Sequence, residues 1–237
     1  MNELTNILAE TTERLLADHA TKDVLNQAEQ GDWPAHPVID HFRRFFDFHP
    51  QFEEPQIRRL LAAYYGACSF LDEQIGRVLT QLEALGLTQS TRVIYSSDHG
   101  EHLGGRGIFG KFSLYDESAA VPMIAAGPDV PQGAVCRTPT SLVDLYPSII
   151  ESVGAESHND DAGLPGRSLW TIASNPDAQR TVLSEYHAVG SQHASYMIRD
   201  ERYKYNHYVG APAQLFDMVS DPEELNDLAG SADHAEV

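Results

Sequence analysis

An aspartate, a histidine and a glycine stand side by side at residues 98–100, and this short motif could bind a metal ion. Carboxylate and imidazole groups are both ligands of divalent cations. A glycine-rich stretch follows, and Lys111 comes directly after its last glycine, Gly110. Beside a metal and an anionic substrate, a lysine ammonium would stabilise negative charge that develops during a reaction. Taken alone, the same residues are more often a turn or helix cap followed by a solvated surface charge.

The elements around the motif favour the metal interpretation. Residues 92–97 form a short, mostly apolar run after a long helical pattern, which predicts a buried strand of a β-α-β unit. Asp98 follows this strand directly. In open α/β sheets ligands bind beyond the carboxyl ends of the strands, so chemistry is expected here. Residues 121–126 predict the next strand.

The long helix is predicted over residues 56–85, where apolar residues recur at spacings of three and four. At about 1.5 Å per residue it would be roughly 43 Å long. We expect it to bury an apolar stripe against the strand at 92–97. The stripe consists of Ile57, Leu61, Cys68, Leu71, Ile75 and Leu82. Further helices are predicted at 3–30, around 40–46 and at 141–153.

The last quarter of the chain changes character. Residues 181–186, 194–199, 203–207 and 214–216 are strand-like runs separated by turn residues, and a turn at 220–222 follows them. They predict a small antiparallel sheet closed by a short acidic helix. The fold class is therefore α/β, with a sheet flanked by helices and a small C-terminal antiparallel-sheet subdomain. We predict segments at 1–54 (helical and irregular), 55–175 (main α/β part) and 176–237 (α+β).

The charge balance limits the partners. The 237 residues include 16 basic and 35 acidic side chains, a net charge of −19. Such a charge disfavours nucleic acid and anionic membrane surfaces. No apolar stretch approaches the length of a spanning helix, and the N-terminus has no secretory signal, so the chain as written is expected to be cytoplasmic. An export signal upstream of Met1 would change that expectation. The two cysteines leave reduced thiols or one disulfide open, and the oligomeric state is not determined.

The order of motifs along residues 55–230 resembles the second half of the sulfatase family, in the alkaline-phosphatase-like superfamily. The central match is the run Ser-Asp-His-Gly-Glu-His-Leu-Gly at 97–104, followed by Gly110-Lys111. Residues 185–187 and 197–199 resemble choline-sulfatase-like members in particular. Other matching segments lie at 64–66, 70–72, 75–76, 115–118, 121–124, 144–147, 166–169, 203–205, 215–217, 221–222 and 227–229.

The resemblance implies roles for individual residues. Asp98 and His99 match two ligands of the family's divalent cation, which would be Ca²⁺, with Mn²⁺ or Mg²⁺ as alternatives. Lys111 matches the lysine that contacts the transferred sulfuryl group. His187 and Arg106 are weaker candidates for substrate binding; a structural residue and a solvated charge are their ordinary interpretations. His36, His41 and His49 match no pattern.

The family's nucleophile has no counterpart in this sequence. It lies in a Cys-x-Pro-Ser-Arg or Ser-type motif upstream of Asp-His-Gly, where its first residue becomes a formylglycine. Cys68 is followed by Ser-Phe-Leu and lies on the apolar stripe of the long helix. Cys136 and Ser174 precede sequences that do not continue as the motif requires. We therefore expect a fragment that carries part of the metal site without the nucleophile.

The favoured function is hydrolysis of small-molecule sulfate esters by the complete enzyme. One alternative is hydrolysis of phosphonate or phosphate esters on the same scaffold. The other is a non-catalytic remnant. The fold implied is a partial alkaline-phosphatase-like sandwich.

Overall fold

The computed structural model describes residues 35–47, 54–156, 158–176 and 179–234. The predicted helix at 3–30 and His49 lie outside these residues. The α-helices are α1 (Pro37–Phe45), α2 (Glu54–Ala84), α3 (Asp116–Ala119), α4 (Leu145–Ser152) and α5 (Leu169–Ser174). The strands are β1 (Val93–Ser96), β2 (Met123–Ala126), β3 (Val182–Tyr186), β4 (Ser195–Arg199), β5 (Tyr203–Tyr208) and β6 (Gln214–Asp217). Short 3₁₀ turns occupy Gly105–Gly107, Leu142–Asp144, Asn159–Gly163 and Ala232–His234.

Strands β1 and β2 pair antiparallel, with Val93 opposite Ala126 and Ser96 opposite Met123. The predicted β-α-β context rests on the helix before residues 92–97, so this antiparallel pair does not test it. Only a loop and the single-turn helix α3 connect them, and antiparallel neighbours need no crossover helix. Every residue of β1 is half-buried rather than fully buried, since the described part of this sheet has two strands.

The C-terminal sheet is confirmed. Strands β3, β4, β5 and β6 form an antiparallel meander in sequence order. Along β5 the buried residues Lys204, Asn206 and Tyr208 alternate with more exposed ones, so one face of the sheet packs inward.

The hydrophobic core joins three parts of the chain. It consists of Val38, Ile39, Phe42, Ile108, Tyr115, Tyr208, Phe216 and Met218. Helix α1 supplies the first three, the segment before α3 the next two, and the C-terminal sheet with the residue after it the rest. Phe46 stacks on Phe112 with ring centroids 3.9 Å apart at the rim of this core. The predicted segments at 1–54, 55–175 and 176–237 all contribute to it, and their boundaries stay a prediction.

Helix α2 matches the predicted helix, but its burial differs. Ile57, Leu61 and Leu79 are buried, whereas Leu71 is 49% exposed. The expectation that the whole stripe is buried is wrong: of its members only Ile57 and Leu61 are buried, Leu71 is exposed, and the other three are half-buried. Within the described residues, none of the helices combines the length and the apolar character needed to cross a membrane.

Candidate metal and anion site

Asp98 and His99 leave the end of β1 with their side chains close together. The Asp98 carboxylate accepts a hydrogen bond from the backbone N–H of His99 at 3.0 Å. Its other oxygen lies 3.3 Å from His99 Nε2. His99 Nδ1 lies 2.8 Å from the carbonyl oxygen of Gly100. A carbonyl can only accept, so Nδ1 carries the proton in the neutral ring and Nε2 presents a lone pair toward the site.

Lys111 completes the cluster. Its ammonium donates a hydrogen bond to His99 Nε2, although the two residues lie twelve positions apart. The residue is exposed, and the Asp98 side chain is 83% exposed, so the three groups face solvent at one surface. The structure thus brings together Asp98, His99 and Lys111, as the sequence predicts, on an open surface rather than in an enclosed pocket.

The electrostatics at Asp98 favour its charged form. Desolvation would raise the pKa of this carboxyl, but its backbone hydrogen bonds and the neighbouring His99 and Lys111 together lower the pKa below its ordinary value. Asp98 is therefore ionised at neutral pH, and the ionised carboxylate is the form that binds a metal cation.

Gly100 ties the motif to helix α3. Its N–H donates to the carbonyl of Ser118 at 2.8 Å. A Cβ at this position would lie 2.2 Å from the carbonyl oxygen of Glu117. The backbone approaches α3 too closely for any side chain, so close packing explains why residue 100 is a glycine.

Residues 101–113 form a tight loop that returns the chain to His99. The Glu101 carboxylate accepts a hydrogen bond from Gly110 N–H at 2.5 Å. The buried His102 ring bonds to Ser113 Oγ through Nε2 at 2.8 Å. The backbone at Leu103 has a φ of 49°, which is in the left-handed region and turns the chain sharply.

Two donors alone do not complete a metal site. Among the described residues, no third His, Cys, Asp or Glu joins Asp98 and His99 in a metal-binding group. A Ca²⁺ ion takes roughly six to eight oxygen ligands in a protein site. The anionic, exposed carboxylate and the imidazole lone pair nevertheless fit part of a coordination shell.

Arg106 lies in the interior, so it is not the solvated surface charge that was its ordinary interpretation. It is 2% exposed, and its φ of 56° is left-handed. Its guanidinium donates to the carbonyls of Glu224 at 3.2 Å and Glu223 at 2.6 Å. It also pairs with Glu117 and stacks over Tyr115. These contacts link the glycine-rich loop to the C-terminal segment.

His187 lies at the end of β3 with its side chain 46% exposed. It packs edge-on against Tyr196 with ring centroids 5.1 Å apart, and Glu185 lies 3.9 Å from it. His36 and His41 bond to the backbone carbonyls of Pro212 and Gly190, as structural residues do.

The sequence did not point to Arg43 or to Glu101 and His102. Arg43 on α1 donates to the carbonyl of Arg106 at 2.7 Å and so supports the loop. Glu101 and His102 adjoin the Asp-His-Gly motif and belong to the run at 97–104 that matches the family, but neither signal assigned them a role.

The Cys68 thiol fits the packing interpretation, whereas Cys136 is exposed. Cys68 and Cys136 are both free. Cys68 is half-buried on α2, and burial raises the pKa of its thiol, which disfavours the nucleophilic thiolate.

Two family profiles match the chain. The sulfatase profile covers residues 32–155, and the profile described as N-sulphoglucosamine sulphohydrolase, C-terminal, covers residues 100–237. With the fold, they define a protein of the alkaline-phosphatase-like class. Within that class, the chain belongs to the sulfatase family.

Curated relatives agree. The chain is 33% identical over 189 residues to arylsulfatase K of Xenopus laevis, a match that covers 76% of this chain and 35% of the relative. It is 34% identical over 176 residues to the choline-sulfatase of Rhizobium meliloti (strain 1021), covering 74% of this chain and 34% of that one. The chain thus spans about a third of the length of these relatives.

Solved structures show the same fold. A 2-O GAG sulfatase superposes with a TM-score of 0.72 at 27% identity, covering 86% of this chain and 46% of its own. The phosphonate monoester hydrolase of Silicibacter pomeroyi superposes with a TM-score of 0.68 at 28% identity, covering 86% and 47%.

Proposed function

We propose that this chain forms part of an enzyme that hydrolyses small-molecule sulfate esters. The observation that carries the proposal is the cluster of Asp98, His99 and Lys111 at the end of β1, with Lys111 hydrogen-bonded to His99. A carboxylate, an imidazole and an ammonium at one surface suit a cation together with an anionic ester group. Membership of the sulfatase family supports this use of the cluster.

Each residue of the cluster has a proposed role. Asp98 and His99 Nε2 would hold a divalent cation, Ca²⁺ in our proposal, with Mn²⁺ or Mg²⁺ as alternatives. When bound, such a cation supplies Lewis-acid stabilisation of charge on ester oxygens. The hydrogen bond from Nδ1 to Gly100 fixes the tautomer that leaves Nε2 available. Lys111 would move from His99 to the sulfuryl oxygens and balance their charge.

The nucleophile is proposed to come from outside these 237 residues. Neither cysteine lies in the sequence that the family uses, and Cys68 packs on α2. Without a nucleophile, water would have to attack sulfur directly. The chain alone should therefore be inactive and should bind Ca²⁺ only weakly.

A phosphonate or phosphate ester is the second candidate substrate, favoured by the structural likeness to the phosphonate monoester hydrolase. The Asp98–His99–Lys111 cluster would serve either anion, since both present negatively charged oxygens. The proposal assigns no further residue to substrate binding. His187 stays a candidate because it is exposed, whereas the interior bonds of Arg106 support a structural role in our proposal.

The test uses a polypeptide that joins this chain to a nucleophile-bearing N-terminal part of a sulfatase domain. With a chromogenic aryl sulfate and Ca²⁺, we expect turnover that Asp98→Ala and Lys111→Met each reduce by about 100-fold or more. Asp233→Ala is the matched control, because Asp233 is exposed near the C-terminus. A preference for a phosphonate monoester would select the second candidate. No turnover of either ester would contradict the proposal and favour a non-catalytic role.

A further inference from the structure

The position of Lys111 depends on a loop that has little intrinsic stiffness. Twelve positions separate Lys111 from His99, and the segment between them contains five glycines, from Gly100 to Gly110. Glycine loses more backbone freedom on ordering than any other residue. Specific contacts must therefore hold this loop in the conformation that places the ammonium on the imidazole.

Gly110, the residue before Lys111, is fixed through both of its backbone polar groups. Its N–H donates to Glu101 Oε1 at 2.5 Å, and its carbonyl accepts from His102 N–H at 2.9 Å. The same Glu101 oxygen accepts a longer bond from Leu103 N–H at 3.3 Å. A carboxylate that accepts backbone N–H groups forms charge-assisted hydrogen bonds, which are stronger than neutral ones.

The backbone conformation and close surroundings of residue 110 accommodate only glycine. Its φ is 101°, and a Cβ there would lie 2.5 Å from the ring of Phe112. Phe112 in turn stacks on Phe46 and packs against the core. The chain around Lys111 is thus held by Glu101 on one side and by the core on the other.

Glu101 does not take part in the cation cluster itself. Over the described ranges, it forms no three-donor metal group with Asp98 and His99. Its carboxylate instead bonds to backbone N–H groups of its own loop. We infer that Glu101 is a positioning residue, which holds Lys111 at His99 by closing the loop at Gly110. The functional importance of this role rests on the proposed function, but the effect of Glu101 on the position of Lys111 can be measured without an activity assay.

The experiment compares hydrogen exchange and nuclear Overhauser contacts in the 237-residue chain by NMR. In Glu101→Ala the Gly110 amide should exchange at least about tenfold faster, since it loses a charge-assisted bond. The contact between the Lys111 side chain and the His99 ring should disappear. Glu101→Gln keeps an acceptor oxygen and should restore most of both signals. Glu201→Ala, an exposed glutamate in the β4–β5 turn, is the control and should change neither.

Three outcomes would overturn the inference. They are unchanged exchange at Gly110 in Glu101→Ala, a retained Lys111–His99 contact in that variant, or failure of Glu101→Gln to restore either signal. If Glu101→Ala does not fold, Glu101→Asp replaces it, because the shorter side chain should weaken the same bond and speed the same exchange. Loss of these signals with normal folding supports the positioning role. Absence of ester turnover from the longer polypeptide, with both NMR signals intact, would instead contradict the proposed function.

Discussion

Burial sets the protonation state of His102, a single side chain beside the candidate site. Desolvation lowers the pKa of this histidine from 6.5 to about 4. Between pH 6.5 and 4 the unfolded chain binds a proton there that the folded chain does not. The free energy of unfolding should therefore fall as the pH falls through this window, by up to about 3 kcal/mol from His102. Urea titrations at pH 7 and pH 4.5 measure the fall.

His102→Gln is the comparison for this pH effect, because it removes the titrating ring and keeps a polar side chain. Its free energy of unfolding should change less between the two pH values than that of the wild type. Equal changes in the two proteins would show that His102 does not titrate in this way.

Gly100 offers a second prediction at the residue scale. Gly100→Ala should destabilise the fold by about 1–3 kcal/mol, because the new Cβ would meet the Glu117 carbonyl at 2.2 Å. Gly76→Ala is the matched control: it lies inside α2, and its new methyl group would have no atom within 4 Å, so it should stabilise by about 0.5–1 kcal/mol. Thermal unfolding of the two variants measures both effects. A neutral Gly100→Ala would mean that α3 lies further from the motif than the structure shows.

At the scale of elements, helix α1 anchors the core beneath the glycine-rich loop. Phe42 is 1% exposed and contacts the rings of Phe112 and Tyr186. Phe42→Ala should cost about 3–5 kcal/mol of unfolding free energy, as buried aromatic truncations do. Phe45, on the same helix, is 54% exposed, so Phe45→Ala should cost far less. Similar losses from both changes, measured by chemical denaturation, would contradict the assigned packing.

Periodicity predicted the elements well because it reports local geometry. The spacing of apolar residues predicted α2 and the four C-terminal strands to within a few residues. It could not show that β1 and β2 run antiparallel, because short apolar runs carry no information about strand direction. Nor could it show that Leu71 is exposed, since burial depends on which other elements cover the helix.

Some features of the candidate site could likewise be predicted from the sequence, and others could not. Placing Asp98 at a strand end, together with the family resemblance, was enough to predict that Lys111 would approach His99. The interior position of Arg106 was beyond the sequence, because its partners Glu223 and Glu224 lie 117 and 118 positions away. The left-handed backbone of Arg106 could not be predicted either, since a residue between two glycines is ordinarily assigned to a flexible surface turn.

At the scale of the whole molecule, a buried charge cluster ties the C-terminal sheet to the segment that follows the site. Lys204 is fully buried and lies 2.7 Å from Asp116 and 2.8 Å from Glu224. Burial would raise the pKa of Asp116, but Lys204 and Arg199 lower it. Burial raises the pKa of Glu224 despite the same lysine. The Lys204 ammonium, on strand β5, thus contacts one carboxylate at the start of helix α3 and one in the segment after β6.

Lys204→Met should therefore destabilise the fold strongly, by about 3–5 kcal/mol, because it removes the buried cation that both carboxylates contact. Arg202→Met is the control, since the Arg202 side chain is 59% exposed in its pair with Asp217 and exposed pairs contribute only about 0–1 kcal/mol. Guanidinium denaturation of the two variants gives the comparison. A Lys204→Met protein as stable as Arg202→Met would show that the cluster does not hold the two parts together.

In the proposed function, this chain supplies the metal-binding and charge-balancing groups of a sulfatase site, and the nucleophile comes from outside these residues. The most direct measurement is hydrolysis of a chromogenic aryl sulfate by the purified 237-residue chain, with Ca²⁺, Mn²⁺ or Mg²⁺ added in turn. We predict no turnover above the protein-free background with any of the three ions. Metal-dependent turnover that disappears in Asp98→Ala would contradict the account, because it would require a nucleophile within these residues.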